Sequence, residues 1–93
     1  MKLKHLAEIK INYRPADFWV IRRGSIESVG SVSRKFNPEH IGIKVVTIEI
    51  LLPDYLFYAM MELHGRGYYK PLAHGTLNLV NIRIDDVRNI EIG

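Results

Sequence analysis

Two short basic clusters, Arg22-Arg23-Gly24-Ser25 and Ser33-Arg34-Lys35, are the residues whose types and spacing best suit binding chemistry. A guanidinium can donate paired hydrogen bonds to a phosphate, and flanking Gly and Ser let a backbone come close to one. Further along, Tyr68-Tyr69-Lys70 sets two aromatic rings beside a cation, a composition that stacks on bases or packs at a protein interface. Each pattern also has a plain origin. Two or three charges at a loop are ordinary solubilising surface, and one of two adjacent tyrosines commonly belongs to a core.

Catalytic chemistry has no comparable support. His5, His40, His64 and His74 lack i, i+4 spacing and lack the H-E-x-x-H pattern, so no metal site is expected. Asp85-Asp86 stands at the start of a short helical turn, where capping explains two adjacent carboxylates. Gly65-Arg66-Gly67 has no third glycine at phosphate-loop spacing and follows a helical stretch rather than a strand. Neither a G-x-x-x-x-G-K-[ST] loop nor a G-x-S-x-G elbow occurs, and the absence of cysteine removes thiol nucleophiles, disulfides and thiolate zinc sites. The chain reads as a non-catalytic binding protein with no cofactor and no metal.

Something must position those basic and aromatic groups. With 93 residues, 47% hydrophobic and 25% charged, the chain has ordinary globular composition and room for one core, so residues 1–93 are expected to form a single domain. So small a core gains from burial against a partner or a second copy, which makes a homo-oligomer an expectation. The net charge of +3 is uneven: residues 1–46 hold nine Lys and Arg against four Asp and Glu, and residues 47–93 hold four against six. Glu8 and Lys10 interrupt any signal-peptide core, and the most apolar run, residues 41–52, is far short of the ~20 residues a bilayer span needs. A cytoplasmic protein with no membrane partner is the expectation.

Strict alternation over residues 7–13 predicts a half-buried strand with Ala7, Ile9, Ile11 and Tyr13 on one face. The Arg14-Pro15-Ala16-Asp17 turn leads to a second strand over 18–22, and the two are expected to pair as a hairpin. A small, polar loop from Gly24 runs into a short strand near 29–35, and Asn37-Pro38 marks a turn. Residues 41–50, dense in β-branched side chains, predict a long central strand. Pro53 and Asp54 open the main helix, about 53–64, with Gly65 as its cap. Its interior is apolar almost all round, which asks for cover on more than one face. Helical pieces around Pro71, a strand over 77–84, one helical turn from Asp85 and a terminal strand over 90–92 complete an α+β domain. A small mixed or antiparallel sheet of about five strands would carry the main helix.

Several of these stretches, in this order, resemble a known family. Leu52-Pro53-Asp54-Tyr55-Leu56-Phe57-Tyr58, the turn Ala73-His74-Gly75-Thr76, and Asn81-Ile82-Arg83-Ile84-Asp85-Asp86-Val87-Arg88-Asn89-Ile90-Glu91-Ile92 resemble the closing portion of the target-recognition domain of type I restriction–modification specificity subunits. Upstream, Val20-Ile21-Arg22-Arg23-Gly24-Ser25 with Val29-Gly30 resembles a loop of the same domains. The chain is shorter than a complete recognition domain and ends at Gly93, where that family continues into a long helix that holds the methyltransferase subunits. The resemblance implies DNA as partner, bound by a minimal, free-standing module. Arg22, Arg23, Arg34 and Lys35 would then neutralise phosphates, Ser25 and Tyr69 would lie on the same surface, and Lys70, His74 and Thr76 would reach it from the Gly75 turn.

A different class of function fits the same features. A small phage- or mobile-element-encoded protein that binds and inhibits a bacterial defence complex would also lack catalytic groups and expose an over-apolar helix. Mimicry of DNA is disfavoured, because a mimic should be acidic.

Overall fold

The computed structural model describes residues 1–76 and 78–93. The alternating stretch at the start forms β1 (Ala7–Ile11), with Ala7 and Ile9 buried and Glu8 and Lys10 in solvent. Ile11 is exposed, so the buried face expected through Tyr13 stops at Ile9, four residues early. Beyond it come β2 (Phe18–Val20), β3 (Arg23–Gly24), β4 (Val32–Ser33) and β5 (Ile41–Val45), then α1 (Pro53–Gly65), β6 (His74–Gly75), β7 (Val80–Asn81) and α2 (Ile84–Arg88). Short 3-10 turns occupy Leu3–His5 and Lys70–Leu72.

The class is α+β and, among the described residues, every strand pairing is antiparallel, with seven strands divided between two sheets. The larger has the order β1-β5-β2-β4 and the smaller β3-β7-β6. The expected β1–β2 hairpin does not form, because β5 lies between them. Asn12, whose φ of 53° suits a turn, sends the chain across β5, and Asp17 N–H then donates to Ile43 O at 2.8 Å. Gly42 makes the crossing feasible: a Cβ there would sit 2.9 Å from Tyr13 Cβ. Trp19 Nε1 donates to Tyr13 O at 2.9 Å and locks the crossing down.

The central strand is also shorter than its β-branched run. Asp17 Oδ2 accepts from Val45 N–H at 2.8 Å and closes β5, and Thr47 Oγ1 donates to Leu6 O. Residues 48–50 then turn, with Ile50 N–H and Leu51 N–H both donating to Thr47 O, which leaves Ile48 and Ile50 in solvent. The helix α1 begins where Pro53 and Asp54 place it. It includes Gly65, and the left-handed turn that ends this region falls on Gly67, φ 81°. Of the strand expected over 77–84, β7 forms at its middle, and Leu77 lies outside the described residues. The expected terminal strand contributes a single bridge, Lys2 with Glu91.

One core joins the layers. Leu56, Phe57 and Met60 turn inward from α1, and Phe57 meets Phe18 of β2 edge-on at 5.4 Å. At about 25 cal/mol per Å² of apolar surface removed from water, each of these three contributes roughly 1.5–3 kcal/mol, far more than the helix's own propensity. On the far side, Val87 and Ile90 close the core against Leu3, and Arg88 donates to Ile9 O of β1 at 3.0 Å. The short helix α2 is held at its start by Asp86 Oδ2, which accepts from Arg83 N–H at 2.7 Å.

Candidate functional site

Register in the smaller sheet lines up a set of polar side chains. Arg23 of β3 pairs with Asn81 of β7, and Asn81 pairs in turn with His74 of β6. Directly opposed residues share a face, so the three side chains form one row across the sheet. Val80, which alternates with Asn81, is buried, and the face bearing the row is therefore the outer one. Adjacent strands lie about 4.8 Å apart, so the row spans about 10 Å from Arg23 to His74. Thr76 follows on β6 and closes the β6–β7 hairpin by donating its N–H to Leu79 O at 3.0 Å. The row itself carries no acidic residue.

Not all of the expected contacts gather there. Arg23 and His74 belong to this sheet, Thr76 follows β6 directly, and Ser25 follows β3 directly, exposed but with its Oγ accepting from Ser28 N–H. Arg22 begins the same segment, yet its Nε donates to Glu39 O at 3.0 Å and its other end faces the Glu39 carboxylate at 3.8 Å. Arg34 and Lys35 lie past β4 in the other sheet. There the Arg34 guanidinium stacks 3.9 Å from the Phe57 ring centre and meets Asp54 at 3.4 Å. Lys70 lines a small recess of about 180 Å³ with Ile26, Glu27 and His64, at the end of α1.

Tyr69 is the clear correction. Its side chain is 2% exposed and belongs to the core, with Tyr68 packed edge-on against it at 5.1 Å, so it presents no ring to a base. Burial drives the Tyr69 phenol far above its ordinary range, and its hydroxyl has no partner among the described residues. Asn81, absent from the expected set, joins it through register alone: nothing about a neutral Asn in a β-rich stretch marks it out beforehand.

A second surface lies beside the apolar helix α1, and the turn over residues 48–50 that borders it is hidden in a sequence whose residues 41–50 look like one strand. An open groove of about 940 Å³ runs between α1, residues 50–52 and the paired chain ends. Leu6, Leu51, Leu56, Ala59 and Leu63 line it, and Met1, Ile50, Leu52 and Tyr55 stand out from its walls.

The histidines are dispersed. His64 Nε2 lies 2.6 Å from Glu27 O, and since a carbonyl only accepts, that nitrogen carries the proton and ties α1 to the loop after β3. Among the described residues no group of three His, Asp or Glu could hold a metal ion, and no helix is long and apolar enough to cross a membrane. No protein-family model matches this chain, and no match was found among curated proteins or solved structures.

Proposed function

We propose that this chain is a non-catalytic DNA-binding module that reads duplex DNA with the outer face of its smaller sheet. The observation that carries the reading is the Arg23–Asn81–His74 row. A major groove about 12 Å wide admits a two-stranded ribbon, and the β6–β7 hairpin is such a ribbon with Arg23 beside it. Arg23 and His74 would contact phosphates, and the Asn81 amide, which can donate and accept together, would meet a base edge such as adenine. The basic first half of the chain and the resemblance to a target-recognition domain point the same way.

Arg22 and Arg34 have a lesser part in this reading. Both guanidiniums already have partners, and redirecting either one would forfeit those contacts. The test is fluorescence anisotropy with a labelled mixed-sequence duplex at low salt. Binding that weakens steeply with salt is expected, together with little change for Arg34→Ala. No binding at low salt would remove the proposal.

A further inference from the structure

The molecule exposes no excess of surface. Its accessible area of 5639 Å² is close to the roughly 5500 Å² expected for a monomer of its mass. The composition of that surface is what stands out. Met1, Ile48, Ile50, Leu52, Tyr55 and Tyr58 are each more than half exposed, and four of the six border the groove beside α1. We infer that this groove is the interface of a two-fold homodimer, in which Ile50 and Leu52 of each copy enter the groove of the other.

Shape is the first reason. The surface carries a concavity and, on its own rim, a protruding apolar turn: Ile50 is 72% and Leu52 64% exposed. A two-fold contact brings the same patch of both copies together, so a patch holding both knob and hole can satisfy itself twice over. Charge is the second. The ionic groups at the groove are already matched within the chain, Glu62 with Arg66 and Glu91 with the N-terminal ammonium. Such a rim offers little to a charged foreign surface, and it puts no unpaired like charges against each other across a two-fold axis. Area is the third. Full burial of side chains of this size removes on the order of 100–200 Å² each, so the four at the groove, each about two-thirds exposed, supply about 400 Å² per copy. Two copies then bury about 800 Å² of apolar side-chain surface, the size of a weak contact, and the dimer is accordingly expected to be micromolar.

This inference is independent of the DNA reading, and its test contains no DNA. Sedimentation equilibrium of the full chain is expected to show a concentration-dependent dimer in the micromolar range. Ile50→Glu should raise the dissociation constant on the order of a hundredfold or more, because the carboxylate enters an apolar groove in both copies. Ile50 packs against nothing in the core, so the variant is expected to keep the wild-type near-ultraviolet circular dichroism of Trp19. Because the chain has no cysteine, Ile50→Cys combined with Ala59→Cys supplies a second readout: oxidation should give a covalent dimer that reductant reverses. A wild-type chain that stays monomeric at hundreds of micromolar overturns the inference. So does a dimer that Ile50→Glu leaves intact, which would place the contact elsewhere.

Discussion

The Tyr69 ring lies so close to Gly30 that a Cβ on Gly30 would fall 2.0 Å from Tyr69 Cδ2. Gly30 also has φ 87°, a conformation that costs other residues about 1–2 kcal/mol. It sits where the loop from β3 returns to the core, its N–H donating to Ile21 O at 2.8 Å. Gly30→Ala should therefore lower unfolding free energy by about 2–5 kcal/mol, from backbone strain and overpacking together. Urea denaturation followed by tryptophan fluorescence measures it, and a loss under about 1 kcal/mol would mean that the ring moves aside cheaply.

The same ring gives a prediction of opposite sign. The Tyr69 hydroxyl is buried with no partner among the described residues, so Tyr69→Phe removes a desolvated polar group and keeps the packing. Stability should be unchanged or raised by up to about 1 kcal/mol, as judged by the same denaturation. A clear loss would reveal a hydrogen bond to that hydroxyl.

Asp17 is expected to matter more than an ordinary turn residue. Its carboxylate accepts from Val45 N–H, and its own N–H extends the pairing through Ile43 O. Asp17→Ala leaves the Val45 N–H unpaired beside the core and should cost about 1–3 kcal/mol. Amide exchange locates the damage: Val45 should lose protection before Ile9 does.

His40 makes stability depend on pH. Burial lowers its pKa below the ordinary 6.5, the nearby Glu39 charge opposing only in part. The unfolded chain therefore takes up this proton at higher pH than the folded one. The contribution of neutral His40 is complete above 6.5 and is lost as pH falls through the folded value. His40→Gln should flatten the decline in urea midpoint as pH falls below 6.5. Glu8, whose pKa is lowered by the Tyr13 hydroxyl and the Lys10 charge, acts in a separate window below 4.5. Parallel profiles for wild type and His40→Gln would exclude His40 as the source.

The parts of the fold legible in the sequence are those with a local cause. Alternation marks β1, and Pro53 with Asp54 marks the start of α1, because period and capping act within a few residues. The division into two sheets has no such signal. The smaller sheet is built from strands of two residues, too short for any period, and β3 finds β7 in the other half of the chain. Residues 46–50 continue the β-branched pattern, but the Asp17 and Thr47 hydrogen bonds end the strand, and the exposed apolar turn follows from that. Tyr68 and Tyr69 are the same residue type side by side, and which one enters the core depends on the space left by Gly30. The candidate site divides in the same way: its basic residues could be named early, whereas Asn81 belongs to it only through register with Arg23 and His74.

Asn81 and Arg23 are expected to act differently on DNA. In the proposed complex Arg23→Ala would remove a phosphate contact, and Asn81→Ala would remove a base contact. The second variant should narrow the difference in affinity between preferred and unrelated duplexes while leaving salt dependence alone.

The most direct test of DNA binding by the smaller sheet is the slope of log affinity against log salt for wild type and Arg23→Ala on one duplex. The slope should become shallower by about 1, with affinity at low salt reduced. An unchanged slope and affinity for Arg23→Ala would contradict the assignment of this face.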